Sequence, residues 1–307
     1  MRQPPRSHFT QHSHYLLYIF YILCILYILK PMKIDAHQHF WQYDPGEYAW
    51  ISEAMPQLKR DLLPQDLEPL LKEKGYDGCV AVQARQTERE TEFLAGLAAR
   101  FPFIRGVVGW VDLKHPDLAK RLDHFRINPV IKGFRHIVQD EPDDRFLVDE
   151  RFVQGVRMLG EYGFTYDILV YEKHLPVVAD FLEKCPDQPF VLDHIGKPDI
   201  RRGMSAQWKE GIQRIAGHPH VYCKLSGLVT EAEWNSWHAD GFFPYLHHVY
   251  EAFGPDRLMI GSDWPVCLLA APGYAQTVEI VEAFLAPLTP ETQTNILGEN
   301  ARRFYDL

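Results

Sequence analysis

Two histidines separated by one residue are the first group in the chain that could do chemistry. His37 and His39 lie in the stretch IDAHQHFW, at the end of a short apolar run. Alternate side chains of a β-strand point to the same face, so both imidazoles would lie on one side of such a strand. The pair could hold a metal ion or polarise a carbonyl. For the pair alone, two solvated imidazoles beside a turn are an equally good interpretation.

Other polar residues also follow short apolar runs. Arg135 and His136 end the run VIKGFRH, His194 lies in VLDHIGKP, and Asp263 ends RLMIGSD. A carboxylate facing the His-x-His pair is the arrangement that activation of water needs, so Asp263 is the candidate general base. The alternative for an Asp after Gly-Ser is a turn or a helix cap. His194 is either part of the same site or a core histidine beside Asp193.

A second set of residues is predicted to bind a substrate near these groups. The guanidinium of Arg135 suits hydroxyls or a carboxylate, with a surface ion pair to Asp140 as the alternative. The rings of Trp41 and Trp264 could pack on a sugar ring, and ordinary core packing is an equally good interpretation of both residues. The predicted substrate-binding residues are Arg135, His136, Gln83, Arg85, Trp41 and Trp264.

Strand and helix patterns alternate after Met32 without an internal linker. The eight predicted strands are Lys33–His37, Gly78–Ala84, Ile104–Asp112, Val130–His136, Thr165–Val170, Phe190–Ile195, Val221–Leu228 and Arg257–Asp263. This alternation predicts one α/β domain, a (β/α)8 barrel with a long loop after strand 1 and an extra C-terminal helix. The alternative is an open doubly wound sheet, but no G-x-G-x-x-G follows any predicted strand. A barrel collects reactive residues at the carboxyl ends of its strands, where the candidates lie.

The composition narrows the class of partner. A formal net charge of -9 argues against nucleic acid as a ligand. Five cysteines without a C-x-x-C spacing argue against a zinc ribbon and a disulfide framework. Reduced thiols in a cytoplasmic protein are the better interpretation.

The N-terminus carries an apolar run at Tyr15–Leu29, preceded by Arg2 and Arg6. The run is shorter than the ~20 residues that a helix needs to cross a bilayer. We therefore expect residues 1–31 to be an extension outside the fold, and residues 32–307 to form the barrel. If the run is retained, the alternative to a cytoplasmic location is an N-terminal membrane anchor.

Four motifs taken in order resemble the amidohydrolase superfamily. IDAHQHFW, KGFRH, VLDHIGKP and GSDWPV are similar to its sugar-lactonase branch, to which L-fuconolactonase and L-rhamnonolactonase belong, and the closing GENARRFY is similar to the superfamily's terminal helix. The resemblance implies a hydrolase of carbohydrate catabolism that opens a sugar 1,4- or 1,5-lactone to the aldonic acid. It also leaves open a metal-dependent decarboxylase, an amide hydrolase, or a non-catalytic barrel that binds a small ligand.

The same resemblance bears on the metal. Binuclear members of the superfamily place a bridging carboxylated Lys or a Glu late on the fourth strand, where this chain has Arg135 and His136. One divalent ion similar to Zn²⁺, or none, is therefore expected. Its ligands would be His37, His39, His194 and Asp263.

Overall fold

The computed structural model describes residues 31–234 and 236–307, so the apolar run at Tyr15–Leu29 lies outside the described residues. At its centre is an eight-stranded parallel sheet whose strands are neighbours in sequence order. The strands are β1 (Ile34–Gln38), β2 (Gly78–Val82), β3 (Ile104–Gly109), β4 (Ile131–Ile137), β5 (Thr165–Leu169), β6 (Phe190–Leu192), β7 (Val221–Leu225) and β8 (Leu258–Ile260).

Backbone hydrogen bonds beyond the end of β8 bring the sheet back to its first strand. The amide of His39 donates to the carbonyl of Trp264 (2.7 Å), and the amide of Asp263 donates to the carbonyl of His37 (2.8 Å). The sheet thus forms a nearly closed barrel, as predicted. These bonds also fix two candidate site residues side by side.

Helices cover the outside of the barrel. They are α1 (Pro64–Lys74), α2 (Glu88–Arg100), α3 (Leu118–Arg126), α4 (Glu150–Glu161), α5 (Leu175–Lys184), α6 (Ala206–Ala216), α7 (Leu228–Glu231), α8 (Phe243–Phe253), α9 (Tyr274–Leu285), α10 (Pro290–Thr294) and α11 (Asn300–Tyr305). Among the described residues, none of these helices combines the length and the apolar character needed to cross a bilayer.

Local interactions fix where two of these elements begin or end. Helix α4 begins at Glu150, because the Asp149 carboxylate accepts from the amide of Phe152 (3.0 Å) and caps the helix there. The predicted sixth strand ends at Leu192 rather than Ile195, because His194 and Ile195 have left-handed backbone angles (φ 54° and 48°).

The predicted extra C-terminal helix closes the lower end of the barrel, where the strands begin. Asn300 of α11 donates to the carbonyl of Leu258, the first residue of β8 (2.6 Å). Ala301 and Tyr305 are buried against Ile34 and Val80 at that end. The helix therefore places the Tyr305 hydroxyl beneath the barrel interior.

The long loop after β1 is anchored at a buried carboxylate. Glu90 of α2 accepts from the Tyr48 hydroxyl (3.1 Å) and from the amides of Ala84 (3.0 Å) and Arg85 (2.9 Å). Burial raises the pKa of Glu90 to about 7, although these hydrogen bonds oppose the rise. The carboxyl that holds the loop thus binds its proton more tightly in the folded chain than in the unfolded one.

Glu90→Gln tests this protonation. A carboxyl whose pKa is raised by folding makes its full contribution to the stability of the folded state below its unfolded pKa. That contribution is lost as pH rises through about 7, the pKa of Glu90 in the folded chain. From pH 5 to 8 we expect the wild type to lose roughly 2–3 kcal/mol of unfolding free energy relative to the glutamine variant. Denaturant unfolding at each pH measures the difference. A difference that does not change with pH would show that the folded chain accommodates the ionised carboxylate.

Candidate active site

Three imidazoles converge on one carboxylate at the carboxyl end of the barrel. The Nε2 atoms of His39, His37 and His194 lie 3.3, 3.8 and 3.9 Å from Oδ1 of Asp263. All four side chains are buried. The structure therefore brings together all four residues that the sequence proposed as catalytic or as metal ligands.

The position of Asp263 is fixed by the turn that follows β8. The Asp35 carboxylate of β1 accepts from the amide (2.9 Å) and hydroxyl (2.6 Å) of Ser262. Asp263 itself has a left-handed backbone (φ 58°), and its Oδ1 lies 3.3 Å from His39 Nε2. A side chain on Gly261 would stand 2.6 Å from the Cβ of His37, so this turn passes directly against the first histidine.

Each of two histidines is held through its Nδ1 atom, leaving Nε2 to face the carboxylate. His39 Nδ1 lies 2.8 Å from the carbonyl of Val82, and His194 Nδ1 lies 2.9 Å from Oγ of Ser226. Gly227, with φ 63°, leaves room for the His194 ring, since a Cβ there would come within 2.5 Å of Nδ1. Such anchoring of the far nitrogen orients an imidazole for a ligand or a proton at the near one.

The surrounding charges keep Asp263 ionised. Burial raises its pKa, but the charge interaction with His194, the hydrogen bond with His39 and the charge of His37 lower it more, so the net pKa falls well below the usual carboxyl range. Burial lowers the pKa of His194 to about 4. At neutral pH the carboxylate is therefore available as a proton acceptor.

A buried ionic network lies directly below this group. It consists of Lys224 on β7, Asp167 on β5, Asp193 after β6 and Arg135 on β4. Lys224 Nζ lies 2.5 Å from Asp167 and 3.1 Å from Asp193, whose other oxygen accepts from Arg135 (3.0 Å). The Tyr305 hydroxyl of α11 reaches Asp167 from below (2.8 Å). Two cations and two anions thus neutralise one another inside the barrel.

This network holds the ring of His37. Its Nδ1 lies 3.3 Å from Asp193 and 3.2 Å from Lys224 Nζ, and its Nε2 lies 3.2 Å from Arg135. Burial raises the pKa of Asp193, but the charges of Lys224 and His37 hold it well below its usual value. Sequence reasoning missed Lys224, Asp167 and Asp193. A single charged residue within an otherwise apolar strand, as in VYCKL and TYDIL, was the available signal.

The imidazoles of His39 and His194 and the carboxylate of Asp263 form the floor of a cavity of about 250 Å³, a volume suited to a small ligand. Its walls come from the loops after the strands and from the long loop after β1. The lining residues are His39, Trp50, Met55, Ala84, Arg135, Ile137, Gln139, Asp140, Leu169, Tyr171, His194, Lys197, Asp263 and Val266.

Most of the lining residues were not selected from the sequence, and Tyr171 and Lys197 are two of them. Tyr171 follows β5, and Lys197 has its Nζ 5.3 Å from the Tyr171 ring. Lys197 has a left-handed backbone (φ 46°) and pairs with Glu231 (3.8 Å). Both residues lie in irregular loops, so no periodic pattern could assign them to the cavity.

The expected substrate-binding residues of the fourth strand divide between the two faces of the sheet. Arg135 lines the cavity, while His136 points outward, stacks on Phe146 (ring centroids 4.8 Å apart) and contacts Glu141 (2.7 Å). Successive side chains of a strand alternate, so both could not point into the mouth. Gln83 lies beneath the cavity and donates to the carbonyl of Arg135 (3.2 Å), whose guanidinium in turn donates to the Gln83 carbonyl.

The other three expected substrate-binding residues lie away from the cavity wall. Arg85 pairs with Glu47 at a separate surface site. Trp41 is buried in the core with its Nε1 donating to the carbonyl of Arg60 (3.1 Å). Trp264 is buried, with its ring against Phe40. Both tryptophans therefore belong to the core, which was the alternative interpretation of these residues.

The donor set at the floor suits a divalent cation. His37, His39 and Asp263 each offer a ligand atom, and these atoms lie within 4.8 Å of one another. Because the Val82 carbonyl can only accept, His39 carries its proton on Nδ1. In the neutral ring, the Nε2 lone pair and the Asp263 carboxylate then face each other at 3.3 Å, as two ligands of one cation do. Nitrogen and oxygen ligands of this kind are those of zinc sites.

A parallel barrel with a His-x-His, a later histidine and a strand-end aspartate at one mouth defines an amidohydrolase type of site. The amidohydrolase family model matches residues 34–307. The chain belongs to the amidohydrolase family.

Known proteins are similar to this chain in sequence over nearly its full described length. The chain is 41% identical to L-fucono-1,5-lactonase of Burkholderia multivorans, over 90% of this chain and 96% of the relative. It is 37% identical to L-fucono-1,5-lactonase of Burkholderia ambifaria, over 89% and 95%. A crystal structure of an amidohydrolase from Burkholderia multivorans with bound zinc superposes with a TM-score of 0.86 at 42% identity, covering 90% of this chain and 99% of that one.

Tyr305→Phe tests the support that the C-terminal helix gives to the ionic network. Loss of the hydroxyl leaves one side of the buried Asp167 carboxylate without its donor. We expect the unfolding free energy to fall by about 1.5–3 kcal/mol, the range for a hydrogen bond to a charged group. Denaturant unfolding measures it. The control is Tyr222→Phe on β7, whose half-buried ring packs on Phe304; equal losses in both variants would contradict a specific role for Tyr305.

Proposed function

We propose that this protein is a lactonase that opens a sugar lactone of the L-fucono-1,5-lactone type to the corresponding aldonic acid by attack of water. The convergence of His37, His39 and His194 on the ionised Asp263, at the floor of a small cavity, is the observation that carries the proposal. The full-length similarity to two L-fucono-1,5-lactonases supports the same substrate class.

Asp263 would act as the general base. Its carboxylate accepts a proton from water while the oxygen of that water adds to the lactone carbonyl carbon. The ring C–O bond then breaks, and the proton passes from Asp263 to the departing alkoxide, which becomes a hydroxyl of the aldonic acid. Because its lowered pKa makes Asp263 a weak base, stabilisation of the carbonyl oxyanion has to supply much of the rate.

The oxyanion would be stabilised by positive charge and N–H groups on the floor. The Arg135 guanidinium lines the cavity, with Nη1 3.2 Å from His37 Nε2, and its Nε has no hydrogen-bond partner among the described residues. Such groups act strongly in a buried site, where water does not screen them. Arg135 itself is engaged with Asp193 and the Gln83 carbonyl, so we assign it to the floor rather than to recognition of a substrate carboxylate.

One divalent cation fits the same donors. We propose that His37, His39 and Asp263 would hold it together with His194, whose Nε2 lies 3.9 Å from Asp263 Oδ1. The solved structure of a Burkholderia multivorans amidohydrolase with bound zinc supports this proposal. When bound, a cation of this kind polarises a carbonyl and lowers the pKa of water.

We also propose that residues 1–31 lie outside the catalytic unit. The family match starts at residue 34, which is the first residue of β1. The barrel of residues 32–307 would then carry the whole active site.

Asp263→Asn tests the proposed base. The amide keeps the shape of the side chain but cannot accept a proton, so we expect kcat to fall by about a thousandfold, within the range for loss of a general base. Acid release from a panel of fucono-, rhamnono-, galactono- and xylonolactones measures it.

The matched control for this variant is Asp123→Asn on the exposed face of α3, which should keep wild-type rates. Two results count against the proposal. One is a wild-type enzyme that releases acid from none of the lactones, and the other is an Asn variant that turns over normally.

Metal stoichiometry tests the proposed cation site. After incubation with Zn²⁺ and dialysis, we expect about one equivalent to remain in the wild type and far less in His39→Ala, since that change removes one ligand nitrogen. Elemental analysis measures the bound zinc, and a Zn²⁺-dependent rise in Tm of the wild type alone gives a second measurement. Two retained equivalents, or equal binding by the variant, would contradict the site.

A further inference from the structure

Three buried polar atoms of cavity-lining residues have no hydrogen-bond partner within the described chain. They are Nε1 of Trp50, Nε of Arg135 and Oε1 of Gln139, and all three residues line the cavity. Buried polar atoms are nearly always paired, so unpaired ones in residues that line a cavity are candidates for groups that a ligand completes. Arg135 belongs to the floor, which leaves Trp50 and Gln139 on the wall.

The chemistry of these two atoms identifies the kind of group that would pair with them. Trp50 Nε1 can only donate, whereas Oε1 of Gln139 accepts. A carboxylate would satisfy only the tryptophan, and an ammonium group only the glutamine. Hydroxyls both donate and accept, so a ligand with several hydroxyls can satisfy both atoms at once.

Both residues lie in loops beyond the strand ends rather than at the level of the histidines. Gln139 is in a short 3-10 turn (Val138–Asp140) after β4, two residues past the strand, and Trp50 is in the loop after β1. They therefore form the wall of the cavity, while His39 and Asp263 form its floor. Groups bound there belong to parts of the ligand other than its reacting carbonyl.

The Trp50 ring is held in place by its neighbours. It meets the buried ring of Trp41 edge to face, with centroids 5.8 Å apart and an interplanar angle of 88°. Trp41 is fixed in turn by hydrogen bonds from its Nε1 to the carbonyls of Leu58 and Arg60. A pre-positioned donor loses little conformational entropy when it binds, which is the condition for selective recognition.

We propose that Trp50 and Gln139 form a hydroxyl-binding subsite that determines which sugar lactone the enzyme prefers. The inference rests on the proposed lactonase function and adds its specificity determinants. A site built to hydrogen-bond a substrate hydroxyl discriminates strongly against an analogue that lacks it, because the buried atoms of the site are then left unpaired.

The test compares kcat/KM for the preferred lactone of the panel with that for analogues missing or inverting one hydroxyl. The variants are Trp50→Phe, which removes the N–H and keeps an aromatic ring, and Gln139→Leu, which removes the amide at similar volume. Each should lower kcat/KM for the preferred lactone by about tenfold through KM, with kcat changed little, and leave one deoxy or epimeric analogue almost unaffected. Discrimination between the two lactones then falls by the same factor.

Trp237→Phe is the matched control, because its Nε1 donates to the carbonyl of Ala270 (2.6 Å) and it does not line the cavity. It should keep wild-type discrimination. The proposal is overturned if Trp50→Phe and Gln139→Leu leave discrimination unchanged, or if both lower kcat/KM equally for every lactone in the panel.

Failure of the lactonase function gives a different result. In that case the wild type hydrolyses no lactone, and the subsite is judged by calorimetric binding of the open-chain aldonates. Weaker binding of a polyhydroxylated aldonate by both variants than by Trp237→Phe supports the subsite, and equal binding by all three proteins overturns it.

Discussion

The burial of one ammonium group constrains the whole interior of the barrel. Lys224 lies on β7 with no exposed surface, and a buried charge is tolerated only when it is paired. Asp167 and Asp193 supply the opposite charges, and the second of these carboxylates requires Arg135 in turn. The ring of His37 is held among these groups, so the most deeply placed histidine of the site depends on an ion network that belongs to the fold.

The site has two parts with different origins. The floor is formed by residues at or just past the strand ends, fixed by backbone bonds such as that from the Asp263 amide to the His37 carbonyl. The wall is formed by loops, among them the long loop that Tyr48 ties to Glu90. Because the barrel positions the floor independently of the loops, the chemistry can be retained while substitutions in the wall change the ligand.

Much of the fold and the floor of the site could be predicted from the sequence. The strand and helix patterns are strongly periodic, and a barrel requires the residues at the ends of its strands to meet, which brings His37 and Asp263 together across the chain. The wall could not be predicted, because Trp50 and Lys197 lie in irregular loops. The prediction for His136 was wrong because side chains alternate along β4 and that of His136 points away from the cavity. A single charged residue inside an apolar strand, such as Lys224, does not by itself indicate a site.

The backbone angles of the site have a further consequence. Asp263, His194 and Lys197 all adopt left-handed conformations, which cost a residue other than glycine roughly 1–3 kcal/mol. Glycine would relax each of these positions and would delete a carboxylate, an imidazole or an ammonium group from the cavity. Selection for thermal robustness and selection for turnover therefore favour different residues at the same three places. Ile195 shares the conformation and does not line the cavity, but its side chain is buried in the core, so apolar packing rather than catalysis opposes glycine there.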